Sequence, residues 1–527
     1  MKSITQRIFR EAIRVQHRRA LFACLFLILG SSSTAKSITV DDALTNLRSR
    51  LLSCEDSATV WASGTGTMRD IRVTQVFQFD DRGRFVVDVR GPIASLTGFD
   101  GTEVWQRDQT GRTRTLQLGD RHRALLSHWL VIGYWVHPEA PVDIGPSDRR
   151  VDAGELAISV GLRDTPITGT MIVDVDTWLP KSYVRVDAGF EHEIRFVSWD
   201  RSLGRHVSRE IEITNGGIVN ARFILDTLRA MPTVDPTVYE RRADTMQKYY
   251  AASGDGPVKN KRGRWGHHFV RPRINGEDIG WLAFDTGARL SIIDDDVAKK
   301  LGLELIGDIQ AGGVGGLIEN KLYRIESIEL GPLRIEDIPV IVSPMENISL
   351  GLDEGHAGIL GMDFLWNCVI DYDQKNSIIG LYNPDTYTLP VGKWNDLLDY
   401  NGKPTVKMRF EGHDGLFTID TGNPGAILVS PLTVERLSLL DGRRTTTGTV
   451  GGFGGRVASQ DGSLAWVEWG DRRFEDVPAN FVTEKRGATA DVTRDGIIGT
   501  DLLRRYRMIF DIQHGRAAYL PNDPVSE

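Results

Sequence analysis

The second half of the chain is an internal duplication, and this repeat constrains the fold more than any other feature of the sequence. Segments 270–303 and 406–440 each contain an alternating strand, a turn, an apolar strand that ends in Asp-Thr-Gly, another apolar strand and a short helix. Segments 356–373 and 494–511 each contain an apolar pair followed by a glycine. The two Asp-Thr-Gly motifs are 135 residues apart and the two later glycines 138 residues apart. Because the anchors recur in one order at a nearly constant offset, the sequence predicts two similar, β-rich lobes.

Each copy supplies one aspartate from its Asp-Thr-Gly motif, Asp285 in the first and Asp420 in the second. Hydrolysis of an amide bond needs one group that activates water and another that protonates the departing group. Two carboxylates about 3 Å apart cannot both ionise cheaply, so they share one proton and titrate at separated pH values. The sequence therefore predicts a shared dyad. It leaves open which aspartate is base and which is acid, because the two pKa values belong to the pair.

At these residues the second half of the chain resembles the aspartic proteases. Each copy is similar to one retropepsin-type lobe, and two lobes in one chain are similar to the bilobal arrangement of pepsin-like enzymes. The resemblance implies that Asp285 and Asp420 are the catalytic pair, that threonines grip the opposite loop and that glycines permit close approach. The residues that it implies for this dyad support are Thr286, Gly287, Thr421, Gly422, Gly361 and Gly499. The residues that it implies for the tips of two flap hairpins are Gly312, Gly313, Gly315, Gly316, Gly451, Gly452, Phe453 and Gly454.

The second motif departs from the family pattern. Ala288 follows the first Asp-Thr-Gly, as in retropepsins, whereas Asn423 and Pro424 follow the second, where Ser or Thr is usual in pepsin-like enzymes. The Asn423 side chain can still hydrogen bond near the carboxylate. The glycine clusters at 311–316 and 450–455 are not followed by Gly-Lys-Ser/Thr and do not open a helix, which argues against a phosphate-binding loop.

Residues 36–235 read as one helix followed by many strands. The helix VDDALTNLRSRLL, with Asp41 or Asp42 as its N-cap, has apolar residues on one face: Ala43, Leu44, Leu47 and Leu51. Alternating runs separated by turns predict an antiparallel sheet curved around this helix. The pieces at 98–108 and 173–186 resemble LolA-type lipoprotein carriers, which implies an open half-barrel that holds acyl chains or docks another protein. A β-sheet domain without a ligand remains the alternative.

The N-terminus has the pattern of a secretory signal peptide at 1–35. Basic residues dominate 1–19, an apolar run follows at 20–30, and small residues precede a cleavage site expected after Ala35. The apolar run is shorter than the roughly 20 residues that cross a bilayer. We therefore expect export to the periplasm, the cell envelope or the exterior.

The remaining boundaries separate the lobes from the front domain and from each other. We predict a flexible basic linker at 236–266, a first lobe at 267–383, a connector at 384–401 and a second lobe at 402–522. His267 and His268 are interpreted as residues at the start of a strand and not as a metal site. The connector is only 18 residues long, so pairing of the lobes within one chain costs less entropy than association of two chains. A monomeric active unit is expected.

Composition limits the classes of partner. With 63 basic and 71 acidic residues the formal net charge is −8, which gives no electrostatic reason to expect nucleic acid. The 3 cysteines lack C-x-x-C spacing, which removes the common zinc sites, and neither a metal nor a cofactor is expected. A polypeptide substrate is expected, and a lipid or lipoprotein remains possible at the front domain.

The predicted fold is mainly β: a bilobal, aspartic-protease-like pair of β-barrels, preceded by an antiparallel half-barrel sheet with a helix. The leading hypothesis is an exported aspartic endopeptidase. One alternative is a non-catalytic envelope protein that binds peptides or lipoproteins on the same scaffold. Another is a lipid or lipoprotein carrier with an accessory protease-like tail.

Overall fold

The computed structural model describes residues 38–52, 59–231, 234–345, 348 and 350–522. The predicted signal peptide at 1–35 lies outside this range. Within the described range, no helix combines the length and apolar character needed to cross a membrane. The chain is mainly β, as the sequence predicts, with a front domain followed by two lobes.

The front domain is built on one antiparallel sheet of 13 strands that forms a half-barrel. Its strands are β1 (Thr59–Met68), β2 (Ile71–Phe79), β3 (Phe85–Arg90), β4 (Ser95–Phe99), β5 (Val104–Arg107), β6 (Thr113–Thr115), β7 (Val142–Pro146), β8 (Glu155–Leu162), β9 (Thr168–Asp174), β10 (Leu179–Asp187), β11 (Phe190–Asp200), β12 (Val207–Asn215) and β13 (Ile218–Met231). Their order is β6-β5-β4-β3-β2-β1-β13-β12-β11-β10-β9-β8-β7. The first and last strands, β1 and β13, therefore pair with each other at the centre of the sheet.

Two helices pack against this sheet, α1 (Val40–Leu51) and α2 (Leu118–Ile132). The buried face of α1 carries Leu47, and that of α2 carries Trp129; both side chains join Phe77 of the sheet in one apolar cluster. Apolar residues spaced three or four apart form such a face on a helix. The helices fill the inner side of the half-barrel.

The N-cap of α1 corrects the prediction. The cap is Thr39, not Asp41 or Asp42. Thr39 Oγ1 accepts a hydrogen bond from Asp42 N at 3.1 Å, and the Asp42 carboxylate accepts one from Thr39 N at 3.1 Å. Asp42 therefore occupies the third helical position of a capping box, where an acidic side chain reaches back to the cap.

Helix α2 is absent from the sequence analysis, which expects one helix in this domain. Its apolar face is interrupted in sequence by a charged segment, Arg121–Arg123, and only burial against the sheet distinguishes it from a loop between strands. The helix ends at Gly133, whose φ of 80° is a left-handed conformation that favours glycine. The local signal for this helix was its C-terminal glycine.

The remaining strands form the two lobes and the sheet between them. They are β14 (Gln247–Tyr250), β15 (Gly256–Pro257), β16 (Asn260–Arg262), β17 (His268–Val270), β18 (Arg273–Ile274), β19 (Glu277–Asp278), β20 (Leu282–Phe284), β21 (Ile292–Ile293), β22 (Glu304–Gly313), β23 (Gly316–Leu330), β24 (Leu333–Val342), β25 (Gly358–Leu360), β26 (Val369–Asp373), β27 (Ile378–Tyr382), β28 (Asn395–Asp396), β29 (Leu398–Tyr400), β30 (Lys403–Phe410), β31 (His413–Ile419), β32 (Ile427–Val429), β33 (Thr446–Gly452), β34 (Gly455–Trp469), β35 (Arg472–Val482), β36 (Gly496–Ile498), β37 (Tyr506–Asp511) and β38 (Arg516–Pro521). The short helices of the lobes are α3 (Asp295–Leu301), α4 (Met362–Leu365), α5 (Pro431–Arg436) and α6 (Thr500–Leu503).

The two lobes share one topology. The first lobe orders its strands β17-β20-β25-β21-β24-β23, and the second repeats this order as β30-β31-β36-β32-β35-β34. A six-stranded sheet, β15-β27-β26-β37-β38-β28, takes strands from both lobes, with Ile370 opposite Phe510 where they join. One buried apolar cluster continues through both lobes.

The predicted linker at 236–266 contributes strands to the lobes. Strand β14 pairs with β24, β15 with β27, and β16 with β17. The composition of this segment is basic and rich in glycine, yet β14 and β15 pair with strands far along the chain, and β16 forms a local hairpin with β17. The sequence predicts a flexible linker here because composition carries no information about strand partners elsewhere in the chain.

Candidate active site

The two Asp-Thr-Gly motifs form loops that meet between the lobes. In each lobe the strand before the aspartate runs parallel to a later strand, β20 with β25 and β31 with β36. This pairing continues onto the aspartates: Asp285 N donates to Leu360 O at 3.1 Å, and Asp420 N donates to Ile498 O at 2.9 Å. The duplicated strands thus hold both aspartates in equivalent positions.

The threonines of the two motifs exchange hydrogen bonds across the lobe interface. Thr286 N donates to Thr421 Oγ1 at 3.0 Å, and Thr421 N donates to Thr286 Oγ1 at 3.1 Å. Each hydroxyl also donates to the opposite lobe's strand, Thr286 Oγ1 to Ile419 O at 2.8 Å and Thr421 Oγ1 to Phe284 O at 2.7 Å. Both threonines are buried, so these four bonds are protected from water and join the two loops reciprocally.

The glycines of the motifs allow the carboxyl groups to approach. A Cβ on Gly287 would lie 2.3 Å from Cγ of Asp420, and one on Gly422 would lie 2.6 Å from Cγ of Asp285. Real Cβ contacts are never this short, so no other residue fits either position without movement of an aspartate. Each carboxyl group is therefore packed directly over the glycine of the other loop.

Backbone amides hold each carboxylate in its own loop. Asp285 Oδ1 accepts from Gly287 N at 2.7 Å and from Ala288 N at 3.1 Å. Asp420 Oδ1 accepts from Gly422 N at 2.8 Å. Burial, the negative charge of Asp420 and a hydrogen bond between the two carboxyl groups raise the pKa of Asp285 well above its usual range. One proton is consequently retained by the pair at pH values where an isolated aspartate is ionised.

The later glycines lie where strands pass close to the aspartate loops. A Cβ on Gly361 would lie 2.7 Å from the carbonyl carbon of Leu290, and one on Gly499 would lie 2.2 Å from Gly425 O. The Asn423 side chain caps its own loop and makes no hydrogen bond to the carboxylate, because its Oδ1 accepts from Gly425 N at 3.0 Å and its buried Nδ2 has no partner among the described residues. The unusual residue after the second motif thus shapes the loop backbone.

The predicted flap residues lie at or next to the tips of two hairpins, β22–β23 and β33–β34. The tips touch: Gly315 N donates to Phe453 O at 3.3 Å, and a Cβ on Gly313 would lie 2.1 Å from the same oxygen. Phe453, at the tip in the second lobe, borders an apolar cluster of the first lobe, and Val314, at the tip in the first lobe, borders one of the second. Each hairpin therefore reaches across to the opposite lobe.

Two basic residues beside the dyad were missed by the sequence analysis as functional groups. His267 Nε2 lies 3.0 Å from Gly422 O, and Lys403, the first residue of β30, interacts electrostatically with Asp420. Each stands three residues before the first valine of its repeat, Val270 and Val406, so alignment of the repeats could have revealed both. The sequence interpretation of His267 as a residue at the start of a strand describes only its backbone.

Comparisons with known proteins agree with this description of the second half. A family model described as aspartyl protease matches residues 270–364 and 406–502, one match in each lobe. A search of the curated proteins found no match.

Two solved structures show distant similarity. Conglutin gamma, a basic 7S globulin from lupine seeds, is 12% identical over 53% of this chain and 94% of its own, with a TM-score of 0.29. A DUF1329 family protein from Desulfovibrio piger is 11% identical over 38% of this chain and 95% of its own, with a TM-score of 0.27. Both TM-scores are too low to establish a shared fold. On the family match and the repeated topology, the second half of the chain consists of two aspartyl-protease-like repeats.

Proposed function

We propose that this chain is an aspartic endopeptidase whose two retropepsin-like lobes form one cleft, with Asp285 and Asp420 as the catalytic pair. The observation that carries the proposal is the reciprocal exchange of threonine hydrogen bonds, which joins the two loops and sets each carboxyl group over the other loop's glycine. The family match in each lobe supports the same chemistry. Two hairpins that meet at their tips are suited to cover an extended peptide.

The reaction uses the single proton shared by the pair. In the first step the ionised carboxylate takes a proton from water, whose oxygen attacks the peptide carbonyl carbon, while the protonated partner gives its proton to the carbonyl oxygen. In the second step the C–N bond breaks, the nitrogen receives a proton from one carboxyl group, and a hydroxyl proton returns to the other. A carboxylic acid and an amine leave, and the dyad regains its starting protonation.

The remaining parts of the chain extend this proposal. The basic and apolar pattern of 1–35 supports export, so the substrate would be met outside the cytoplasm. Both aspartates come from one chain, which supports a monomeric active unit. The inner face of the front domain is filled by Leu47 and Trp129 of its helices, which favours docking of a polypeptide over an open acyl-chain site. Lipid that co-purifies with the full chain would contradict this docking role.

The test is hydrolysis of a diverse peptide library by the full chain from acid to mildly alkaline pH. We expect the wild type to cleave, and Asp285→Asn and Asp420→Asn each to abolish cleavage while circular dichroism and the unfolding midpoint stay close to the wild type. Asp501→Asn is the matched control, because this aspartate lies in α6 and pairs with Arg504 at 2.9 Å on the surface.

Two results would contradict the proposal. If either single dyad variant retains full activity, the shared dyad is wrong. If the wild type binds peptides but never turns them over at any pH, the scaffold is a peptide-binding protein.

A further inference from the structure

His267 ties the first lobe to the second aspartate loop. Its Nε2 lies 3.0 Å from Gly422 O, and its Nδ1 lies 3.0 Å from Leu350 O. The side chain is only 3% exposed, so water does not compete for these contacts. Both partners are carbonyl oxygens, which only accept hydrogen bonds; a neutral imidazole can donate to one of them, whereas the imidazolium donates to both.

Lys403 occupies the equivalent place in the second lobe. In the first lobe Phe269 pairs with Ala283, two residues before its aspartate; in the second, Thr405 pairs with Thr418, also two residues before its aspartate. His267 lies two residues before Phe269, and Lys403 lies two residues before Thr405. The duplication has therefore placed one basic side chain beside the dyad in each lobe.

The positive charge of Lys403 favours an ionised Asp420. The pKa of His267 is lowered overall, because burial, together with the charge of His356, outweighs the two carbonyl contacts and the negative charge of Asp420, which raise it. Burial and the neighbouring Arg494 lower the pKa of Lys403 to about 8, and Asp420 is the first of the acids that raise it. The other acids that face Lys403 are Asp491 and Asp120.

The backbone amide donors have the opposite effect on the dyad from Lys403. Asp285 accepts two amide hydrogen bonds in its loop and Asp420 accepts one, which by itself favours ionisation of Asp285. An amide dipole is a partial charge, whereas the ammonium group of Lys403 is a full charge, so Lys403 outweighs one additional amide.

We infer that His267 and Lys403 are positioning residues that make the dyad asymmetric, so that Asp420 carries its negative charge and Asp285 carries its proton. His267 holds the backbone of the second loop against the first lobe, and Lys403 supplies positive charge on the Asp420 side. Neither residue belongs to the Asp-Thr-Gly motifs.

This inference rests on the proposed function when it is read as a mechanism. Asp420 is then the base that takes the proton from water as the oxygen attacks the carbonyl carbon. Asp285 is the acid that gives its proton to the carbonyl oxygen in the same step. In the step that breaks the C–N bond, Asp420 returns its proton to the nitrogen and Asp285 recovers one from a hydroxyl group.

The first experiment measures ionisation without any need for catalysis. Asp420→Asn leaves Asp285 as the single acid of the dyad, and Asp285→Asn leaves Asp420. Infrared spectra of full-length protein with isotope-labelled aspartate, taken as differences from the Asp285→Asn/Asp420→Asn double variant, isolate the carboxyl band of each. We expect Asp285 to ionise about one pH unit or more above Asp420. Lys403→Met added to Asp285→Asn should raise the titration of Asp420. Equal pKa values, or the reverse order, would overturn the inference even in a chain that hydrolyses nothing.

The second experiment uses the pH profile of kcat/KM on a cleaved peptide. Removal of positive charge makes the first ionisation of the dyad harder, so Lys403→Met should move the acid limb to higher pH by about one unit, and Lys403→Arg should restore it. His267→Gln, which alters the contact that holds the backbone of the second loop, should move the limb in the same direction. His268→Gln is the matched control, because this buried neighbour contacts Tyr372 Oη at 2.9 Å on another face. A uniform loss of activity with unmoved limbs would assign both residues a purely structural role.

Discussion

At the scale of single residues, the candidate site depends on two threonine hydroxyl groups and on two glycines that lack a side chain. Thr286 and Thr421 each place a hydroxyl in the opposite lobe, and the glycine beside each provides the space in which the other aspartate rests. The threonine bonds are neutral, and each contributes only about 1 kcal/mol to stability. Their main effect is on geometry, because they fix the two aspartate loops against each other and so hold the two carboxyl groups close together.

Gly287→Ala is predicted to displace the dyad. The new Cβ would stand 2.3 Å from Cγ of Asp420, so either the loop or the aspartate must move. Overpacking of this kind costs about 1–3 kcal/mol, and a shift of about 1 Å at reacting groups can cost roughly 100-fold in rate. Urea unfolding and peptide hydrolysis measure the two effects. Gly145→Ala is the control, because a Cβ there would meet no atom within 4 Å; equal activity of the two variants would refute the close approach.

At the scale of elements, the hairpin β22–β23 is braced by the front domain. Asp70, in the turn between β1 and β2, accepts from Asp308 N at 2.8 Å, and Arg69 forms an ion pair with Glu319. Asn220 Nδ2 donates to Gln310 Oε1 at 2.9 Å from the neighbouring strand β13. A flap must move for a peptide to enter, so these contacts tie the motion of one hairpin to the front domain.

Asp70→Ala is predicted to loosen this hairpin selectively. The substitution removes the acceptor of the Asp308 amide, and hydrogen–deuterium exchange should accelerate over 304–330 while the second hairpin, 446–469, serves as an internal reference. Asp174→Ala is the matched control, since Asp174 accepts from Thr177 N at 2.8 Å within its own remote turn. Unchanged exchange at Asp308 in Asp70→Ala would show that the brace does not hold the hairpin.

At the scale of the whole molecule, buried ion pairs join the front domain to the second lobe. Arg123 of α2 donates to Asp187 in its own domain and, at 2.9 Å, to Asp491 of the second lobe. Arg114 donates to Asp399 at 2.7 Å across the same boundary. A buried pair adds little net stability, but removal of one partner leaves an uncompensated charge. The front domain and the second lobe are therefore coupled, because separating them would leave these buried charges without their partners.

Arg123→Met is predicted to destabilise the full chain by about 3–5 kcal/mol, because Asp187 and Asp491 would stay buried with less compensating charge. Urea unfolding at neutral pH measures the loss. Arg121→Met is the control; that side chain reaches Thr102 O at 3.3 Å on the exposed surface. If both variants unfold at the same midpoint, the buried network does not couple the domains.

The same network predicts a dependence of stability on pH. Although burial opposes it, the charges of Arg123 and Arg494 lower the pKa of Asp491 below its ordinary 3.8. A group with a depressed folded-state pKa stabilises the protein above its unfolded pKa, and this contribution is lost as the pH falls through about 4 and below. The unfolding free energy of the wild type should therefore drop in acid more steeply than that of Arg123→Met. Parallel pH profiles for the two proteins would contradict this coupling.

Much of the second half could be predicted from local sequence. Two copies of one strand–turn–strand pattern predict two lobes of one topology, and the position of Asp-Thr-Gly at the end of an apolar strand predicts where Asp285 and Asp420 lie in the fold. The glycine clusters predict the hairpin tips. These features repeat within short segments, so the physical constraints that produce them are local: alternation of burial along a strand, and turns that need glycine.

The features that sequence patterns did not predict depend on partners distant along the chain. Helix α2 is stabilised by burial against a sheet whose strands lie on both sides of it in sequence, and strands β14 and β15 of 236–266 pair with β24 and β27 of the first lobe. His267 acquires its two contacts only when folding brings Leu350 of its own lobe and Gly422 of the second lobe to it, from 83 and 155 positions away. A residue's neighbours along the chain set its backbone preference, but the charge and hydrogen bonding at the dyad are set by groups that folding brings together.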